Sequence, residues 1–463
     1  MTAIVKKKNQ VSLATKLFTI SIILELSRYF IIGNREDFGF NITLSRIFQV
    51  LVIFFVFAKF FYGDKKILNL KVPKKLLEII TILFIYIIFI WLFFFSLSVF
   101  DLLSPIRPSF FSYIDSQILS SIYSRSYVEL IIFFFYFFYF SLLPIYVLYN
   151  EAQIEYFFKL TITFFMIFIL MGWIDFLLSP FGIEIIARHF NDGVHVGIRW
   201  HSFFGEPRDA FSALIFFSFI LFLRNFNNTK KVWSDYRMQL AVLSTIFTFS
   251  LSGIIGIALS ILLIIMMYLF YGISFGRFLI LLGFTLLLIM ATLLLFNQSE
   301  RLNEYYEATI LLGEILFNSE PIYIEGVLSG QAPNLIPIWH RIYEFNQGIY
   351  MPLLFGTGLG SSAIINSFYI GEETLLNPHT QISRIIFEFG IIGTILFILS
   401  FFWPIHFYTK QFELDDSKRK SLFIAFCWIM GSFLAHRSSI AYVFLGITTA
   451  YLFLNYKTNE RQG

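Results

Sequence analysis

The chain has 463 residues, of which 57% are hydrophobic and only 14% are charged, and its formal net charge is +4. A soluble protein of this length cannot cover its surface with so few charged residues, so the composition excludes that class and predicts a polytopic membrane protein. The single cysteine, Cys427, excludes an intrachain disulfide and argues against thiol or zinc chemistry.

Twelve apolar windows near the 20-residue length of a membrane-spanning helix follow one another along the chain. They cover about 12–33, 43–62, 77–100, 128–149, 157–179, 209–224, 238–252, 254–271, 277–296, 381–403, 421–435 and 438–455, and 238–271 can also be read as one kinked unit. The predicted fold is therefore all-α, a single membrane domain over 1–463 with about 12 transmembrane helices.

Basic residues are unevenly distributed between the connections. Lysines and arginines cluster in the even-numbered connections, as at Lys65, Lys66, Lys230, Lys231 and Lys418, whereas the odd-numbered connections carry scattered arginines and almost no lysine. The positive-inside rule then predicts cytoplasmic termini in a bacterial inner membrane. Residues 297–380, between spans 9 and 10, become one large external loop that faces the periplasm.

The outer loop before the sixth span carries a dense polar motif, Arg199-Trp-His-Ser-Phe-Phe-Gly-Glu-Pro-Arg208-Asp. Pro207 suits the first turn of a helix, where Glu206 and Asp209 would flank the positive terminus. Two interpretations stay open. Arg199, Trp200, His201 and Arg208 can form an interfacial belt that reaches into the headgroups, or the planar guanidinium groups of Arg199 and Arg208 can each bind two phosphate oxygens of an anion.

The large loop is predicted to contain two amphipathic helices, Arg301 to Leu316 and Ile336 to Tyr350. The second places Trp339 and Tyr343 on one face, with Arg341 and Glu344 on an adjacent polar strip. Gly356, Gly358 and Gly360 follow, without the strand or the lysine that a nucleotide site needs. We expect these glycines to let the backbone pass close to another helix or to a ligand.

The loop ends in Asn377-Pro-His379, at the outer mouth of the tenth span. On the residues alone, His379 is as readily a satisfied surface or core group as a proton acceptor. Below it, Arg384 and Glu388 lie four residues apart inside an apolar run. Because an unpaired charge there is costly, we expect them to pair with each other or with another helix, in a structural role.

In this order the motifs resemble the O-antigen ligase and polymerase superfamily, over about 162–397. The matching elements are Arg199 with Phe204-Gly-Glu-Pro207, Phe249-Ser-Leu-Ser252-Gly, Pro352 to Gly360, Pro378-His379-Thr-Gln, and Glu388-Phe-Gly-Ile-Ile-Gly393. Three positions depart from the pattern. Gly253 stands where the family commonly has arginine, and Thr380 stands where it commonly has asparagine. Family members also often carry an arginine shortly before the tryptophan of the loop helix, and Gln331 lies in that neighbourhood here. Arg341, two residues after Trp339, is the best replacement for that arginine.

The resemblance implies a glycosyltransferase that needs neither cofactor nor metal and transfers a glycan from undecaprenyl pyrophosphate to a second lipid-linked repeat unit. Its partners would be that lipid-linked oligosaccharide and membrane lipids, without nucleic acid; a chain-length regulator protein is a further partner that the resemblance allows. The residues assigned to catalysis are Glu206, Arg341 and His379: Arg341, with Arg199 and Arg208, would neutralise the pyrophosphate, and His379, with Glu206 as the alternative, would accept the proton. Those assigned to substrate binding are Arg199, His201, Arg208, His340, Gly356, Gly358 and Asn377.

Two other functions compete with the polymerase. An O-antigen ligase uses the same donor but transfers the glycan to the lipid A core, and the Glu206-Pro207 form favours the polymerase. A transporter also fits twelve spans, although transporters commonly show internal repeats and charges at the bilayer midplane, neither of which the sequence suggests.

Overall fold

The computed structural model describes residues 11–27, 30–33, 42–62, 74–95, 116–183, 185–186, 200–248, 250–271, 332–370, 378 and 380–457. These residues are almost entirely helical. The helices are α1 (Leu13–Ser27), α2 (Leu44–Phe61), α3 (Lys74–Ile90), α4 (Ser116–Tyr136), α5 (Leu143–Val147), α6 (Glu151–Leu178), α7 (Pro207–Arg224), α8 (Thr229–Ser234), α9 (Tyr236–Phe247), α10 (Leu251–Tyr271), α11 (Ala332–Asn346), α12 (Met351–Phe355), α13 (Ser361–Ile370), α14 (Gln381–Gln411), α15 (Asp416–Ala435) and α16 (Ile440–Lys457). Two short strands, β1 (Ile31–Gly33) and β2 (Ile42–Thr43), pair antiparallel between α1 and α2.

The chain forms two compact units, a division that the sequence pattern does not predict. Unit 1 comprises Met1–Pro73, Tyr136–Gly272 and Ile405–Gly463, and unit 2 comprises Lys74–Phe135 and Ile273–Pro404.

Several helices of the described chain are long and apolar enough to cross a membrane. Four such stretches are Lys74–Phe93, Ser126–Val147, Glu151–Phe181 and Gln381–Gln411, and the bent pair Tyr236–Phe247 and Ser252–Met267 makes a fifth if it counts as one span. Each predicted window except 277–296, which lies outside the described residues, contains a helix. The total of about 12 spans and the large external loop stay predictions.

Local capping explains where helices of unit 1 begin. Asn150 accepts a hydrogen bond from the Gln153 N–H at 3.0 Å at the start of α6. Pro207 occupies the first position of α7, as its missing N–H predicts. The break between the predicted seventh and eighth spans lies at 248–250 rather than at Ser252-Gly253. The reason is that the Ser250 hydroxyl accepts from the Gly253 N–H at 3.3 Å and caps α10.

The helices of unit 1 begin and finish at two opposite ends of the unit. At one end, which we call the lysine end, the start of α6 contacts the end of α7 through Arg224 and Glu155 at 2.7 Å. The beginning of α15 carries Lys418 and Lys420, at the opposite end of that helix from His436.

At the other, the imidazole end, α6 and α9 finish while α7 begins and α15 finishes. The Trp200 N–H donates to Phe247 O at 3.0 Å, and His436 contacts Asp209. In the described residues of unit 1 this end carries His201 and His436 and no lysine.

Unit 2 is organised around a break in α14. Gly390 has a left-handed φ of 65° and interrupts the helix. A Cβ at Gly390 would lie 2.4 Å from the Gly356 N, because the chain just after α12 packs against this point. The Tyr86 hydroxyl of α3 donates to Phe389 O at 2.8 Å, which satisfies a carbonyl that the break leaves without its helical partner.

Candidate functional site

The start of α7 presents an ion pair at the imidazole end of unit 1. Arg208 contacts Glu206 with two nitrogens, and its Nη2 donates to Glu206 Oε1 at 2.9 Å. The side chains are 27% and 23% exposed, so solvent or a ligand reaches both. Glu206 is the residue before the helix but makes no side-chain capping bond, because its carboxylate is turned to Arg208.

His201 is held inside the unit by α6. Its Nε2 lies 3.6 Å from Asp175 Oδ2, and its Nδ1 lies 3.1 Å from Ser202 O, so both ring nitrogens face oxygen acceptors. Asp175 also accepts the Ile185 N–H at 2.7 Å. The backbone turns sharply here, with φ of 56° at Ser202 and 85° at Gly205. His201 is therefore a buried, positioned group rather than a surface anchor in the headgroups.

A second carboxylate–imidazole pair was not predicted. His436, the residue after α15, places Nε2 2.7 Å from Asp209 Oδ1 in the first turn of α7, and both residues are buried. The sequence does carry a signal, since His436 lies in an odd-numbered connection and Asp209 starts the span that follows another one, and the charge pattern assigns both connections to one side of the membrane. With Glu206, Arg208, His201 and Asp175, they make up what we call the imidazole cluster: two acid–imidazole pairs beside one accessible ion pair.

Unit 2 contains the polar residues of α11, and it buries them. The helix runs from Ala332 to Asn346, four residues earlier than predicted at each end, with Pro337 inside it. The strip of Arg341 and Glu344 faces inward, whereas Phe345 is exposed. Trp339 and Tyr343, on the predicted apolar face, are half-buried, so the polar strip is the more buried side of this helix.

Arg341 is committed to internal contacts. Its Nη2 donates to Thr357 Oγ1 and to Phe387 O, both at 2.7 Å, its Nη1 donates to Glu344, and its guanidinium carbon lies 3.8 Å from the centroid of the Phe387 ring. The side chain is only 2% exposed. The prediction that Arg341 binds pyrophosphate therefore gains no support here, because the charge is already neutralised and shielded from solvent.

Glu344 is the acid that neutralises Arg341. Burial acts to raise the pKa of Glu344, but the attraction of Arg341 and of His340, together with their hydrogen bonds, lowers it to about 2. His340 Nε2 lies 3.4 Å from Glu344 Oε1, and the His340 ring packs 5.9 Å from Phe387. His340 is thus part of this internal network and not an accessible ligand of substrate.

The glycine-rich segment packs against a helix, the first of the two expected alternatives. The Gly358 N–H donates to Glu388 O at 2.9 Å, and a Cβ at Gly356 would lie 2.3 Å from the same oxygen. The Gly360 N–H donates to Glu388 Oε1 at 3.0 Å. Gly356 and Gly358 have φ of 83° and 89°, which only glycine adopts readily.

Arg384 and Glu388 pair as the spacing predicts. Arg384 Nε donates to Glu388 Oε2 at 2.9 Å, and Arg384 Nη2 donates to Glu129 Oε2 at 2.8 Å, so both expected arrangements occur together. All three side chains are buried. The network ties α4, α14 and the glycine-rich segment into one structural core.

Several predicted site residues fall outside the described part of the chain. These are Arg199, Asn377, His379, the predicted helix Arg301 to Leu316 and the neighbouring loop residues up to Gln331. Within the described residues, no group of three or more His, Cys, Asp or Glu side chains is arranged to hold a metal ion.

A scan against protein-family models finds no match to this sequence, and a search of curated proteins finds none either. The functional assignment therefore depends on the chemistry of the imidazole cluster and on the order of the sequence motifs.

Proposed function

We propose that the chain is a membrane-embedded glycosyltransferase that lengthens a lipid-linked polysaccharide, as an O-antigen polymerase does. The observation that carries this proposal is the imidazole cluster, which gathers an accessible guanidinium, carboxylates and imidazoles at one end of an apolar helical unit. Glycosyl transfer from a pyrophosphate carrier needs those groups: cations for the leaving phosphates and a base for the acceptor hydroxyl.

The charge distribution of unit 1 supports a periplasmic location for the cluster. Lysines such as Lys418 and Lys420 mark the opposite end, and basic residues favour the cytoplasmic side of a membrane. Cytoplasmic termini follow from the same rule. The cluster then faces the compartment where a lipid-linked repeat unit is presented after it has crossed the bacterial inner membrane.

In the proposed reaction, an acceptor hydroxyl attacks the anomeric carbon of the donor sugar while the bond to the pyrophosphate breaks. Negative charge grows on the phosphate oxygens, and Arg208 with Arg199 would stabilise it by two-pronged hydrogen bonds. Glu206, the candidate base that lies in the same unit as Arg208, would accept the proton. Arg341 and His340 would instead maintain the shape of unit 2, because both side chains are buried and contact Glu344.

The direct test uses purified protein and an undecaprenyl-pyrophosphate-linked repeat unit in detergent, with no ion gradient. We expect a ladder of longer lipid-linked products from the wild-type protein. Arg208→Ala should lower the rate by roughly 10²–10³, the usual cost of one preorganised donor. Arg224→Ala is the matched control, since Arg224 pairs with Glu155 at the lysine end and should leave the rate unchanged.

Two results would oppose the proposal. Lengthening that requires an ion gradient, or the absence of any lengthening, would favour a transporter. In a deletion strain, loss of a polymerase leaves core capped by a single repeat unit, whereas bare core would assign the chain to the ligase reaction instead. An equal loss of rate in Arg208→Ala and Arg224→Ala would show that Arg208 has no special role.

A further inference from the structure

We propose that Arg46 binds the diphosphate of the acceptor, the lipid-linked repeat unit that receives the glycan. This inference rests on the proposed function and deepens it, because the reaction uses two lipid diphosphates and Arg208 is assigned only to the one that leaves the donor. The inference is carried by a polar cluster of unit 1 that contains none of the predicted site residues. We call it the Arg46 cluster, and its members are Glu25, Ser45, Arg46, Gln49 and Tyr136.

Helix α1 runs from the lysine end of unit 1 to the imidazole end. At its start, the Ser12 N–H donates to Gln153 Oε1 at 3.1 Å, and Gln153 belongs to the first turn of α6 at the lysine end. Beyond its end, the ring of Phe30 stacks on that of Phe203, with 6.5 Å between the ring centroids. Phe203 lies two residues after His201, so α1 finishes at the imidazole end.

Helix α2 begins where α1 finishes. Phe30 O accepts the Leu44 N–H at 2.9 Å, and Leu44 is the first residue of α2. Arg46 therefore lies in the first turn of α2 and Glu25 in the last turn of α1, at the end of unit 1 that also carries Arg208. Helix α1 packs against both α2 and α7, so the two arginines reach this end from helices that share a neighbour.

The guanidinium group of Arg46 is held in place by its neighbours. Its Nη1 donates to Gln49 Oε1 at 2.7 Å, and its Nη2 donates to the Tyr136 hydroxyl at 3.1 Å. Nη2 also lies 3.4 Å from Glu25 Oε1. Glu25 Oε2 accepts hydrogen bonds from Ser45 Oγ and Gln49 Nε2, both at 2.9 Å. A side chain that is already oriented loses less conformational entropy when it binds a ligand.

Arg46 is also accessible. Its side chain is 38% exposed, compared with 27% for Arg208 and 2% for Arg341, so the burial that removes Arg341 from the site does not apply here. The side chain of Glu25 is only 11% exposed, so an incoming ligand meets the guanidinium rather than the carboxylate. A guanidinium stays protonated, and its planar fork matches two oxygens of a phosphate.

An apolar strip follows Arg46 along the exposed side of α2. Its side chains are between 47% and 78% exposed and are spaced three or four residues apart: Val50, Phe54, Phe57 and Phe61. From Arg46 to Phe61 the strip extends about 22 Å at the rise of an α-helix. A cation at the head of a long apolar surface is complementary to an amphiphile with an anionic head and a hydrocarbon chain.

The proposed reaction indicates which amphiphile this is. The acceptor is attacked at a sugar that lies away from its own diphosphate, so its diphosphate has to bind apart from that of the donor. Both diphosphates must also lie at the same end of unit 1, because both substrates are presented on one side of the membrane. Arg46 and Arg208 satisfy both conditions, since they lie at the imidazole end but on different helices, α2 and α7.

Two acceptor analogues separate the contribution of the diphosphate from that of the sugar. The first is a repeat unit joined to undecaprenyl diphosphate through a methylene group in place of the anomeric oxygen, so it can accept a glycan but cannot donate one. The second is an alkyl glycoside of the same repeat unit, which carries no phosphate. The donor is the lipid-linked repeat unit with its acceptor hydroxyl replaced by hydrogen. KM for each acceptor is measured with purified protein in detergent.

We expect the wild-type protein to have the lower KM for the diphosphate acceptor. Arg46→Gln should raise that KM by roughly 10–100-fold, the effect of losing hydrogen bonds to a charged group, and leave KM for the alkyl glycoside unchanged. Arg46→Lys should cause a smaller rise, since lysine keeps the charge but lacks the planar fork. Lys59→Gln is the matched control, because Lys59 is a cation in the last turn of the same helix, and it should change neither KM.

A competing lipid tests whether the site selects the carrier. Phosphatidylglycerol is an anionic phospholipid, and in molar excess it should leave KM for the diphosphate acceptor unchanged. Competition by phosphatidylglycerol would show that Arg46 binds a bulk membrane lipid, and the assignment to the acceptor would be wrong.

The remaining outcomes distinguish the inference from the function on which it rests. A wild-type protein that transfers glycan to neither acceptor would overturn both. With an active wild type, an unchanged KM for the diphosphate acceptor in folded Arg46→Gln would overturn the inference alone, and so would an equal rise for both acceptors, which indicates a structural role. If Arg46→Gln does not fold, the double variant Glu25→Gln, Arg46→Gln removes both charges of the pair and carries the same comparison.

Discussion

At the scale of single residues, Arg341 is the clearest case in which burial changes an interpretation. Removing a buried partner leaves the other charge without compensation, which costs about 3–5 kcal/mol. We therefore expect Arg341→Ala to lower the Tm strongly, since Glu344 and the Phe387 carbonyl lose their donor. Thermal melting of the purified protein in detergent measures this.

The paired variant supplies the control for Arg341. Arg341→Met combined with Glu344→Gln removes both charges at similar volume and should recover most of the lost stability, as replacing a whole buried ion pair often does. If Arg341→Ala melts like the wild type and loses only activity, Arg341 contacts substrate, and the structural role assigned to it here is wrong.

The acid sensitivity of unit 2 follows from Glu344. Its pKa in the folded protein, about 2, is below the ordinary value, so its contribution is complete above about pH 4.5 and is lost as the pH falls towards 2. The Tm difference between wild type and Glu344→Gln should thus be constant from pH 7 to 5 and shrink between pH 4 and 3. A difference that grows on acidification would contradict this sign.

Residue spacing predicts local pairs and misses distant ones. Arg384 and Glu388 are four apart in a helix, so their pairing could be inferred from the chain alone. Glu129 is 255 residues from Arg384, and His436 is 227 residues from Asp209. No periodicity relates such residues, because their contact depends on how whole helices pack.

At the scale of elements, hydropathy located the helices but not their interruptions. The window 381–403 was predicted as one continuous span, whereas α14 is broken at Gly390. The mean hydropathy of a window does not depend on backbone conformation, so it cannot reveal one residue with a left-handed φ. The break depends on a neighbour, because the backbone at Leu354 and Gly356 occupies the space where a Cβ would stand.

Gly390→Ala tests this break. The new Cβ would lie 2.4 Å from Gly356 N and 2.5 Å from Leu354 O at a φ of 65°, so backbone must move and strain is added. We expect a loss of more than about 4 kcal/mol, seen as failure to accumulate or a large fall in Tm. Gly348→Ala is the control: its φ is 79° but no atom lies within 4 Å, so only about 1–2 kcal/mol of backbone strain is expected.

At the scale of the whole molecule, composition and charge pattern predict a helical membrane protein, and the apolar helices agree with that class. Sequence cannot show that unit 1 gathers one set of helix ends around two histidines, since each end contributes only a short polar stretch. The lysines predict which end of unit 1 faces the cytoplasm, and this orientation can be measured directly.

Cysteine labelling in intact cells decides the orientation of unit 1. The chain has one cysteine, Cys427, which is buried and is replaced by serine to remove background labelling. Phe181→Cys then reports the imidazole end, where this side chain is 78% exposed, and Asn227→Cys reports the lysine end, where Asn227 is also exposed. Because lysine-rich connections stay in the cytoplasm, a membrane-impermeant maleimide should label Phe181→Cys before lysis and Asn227→Cys only after it. The reverse pattern would place the imidazole cluster in the cytoplasm, away from a carrier-linked sugar presented in the periplasm, and the proposed reaction would lose its compartment.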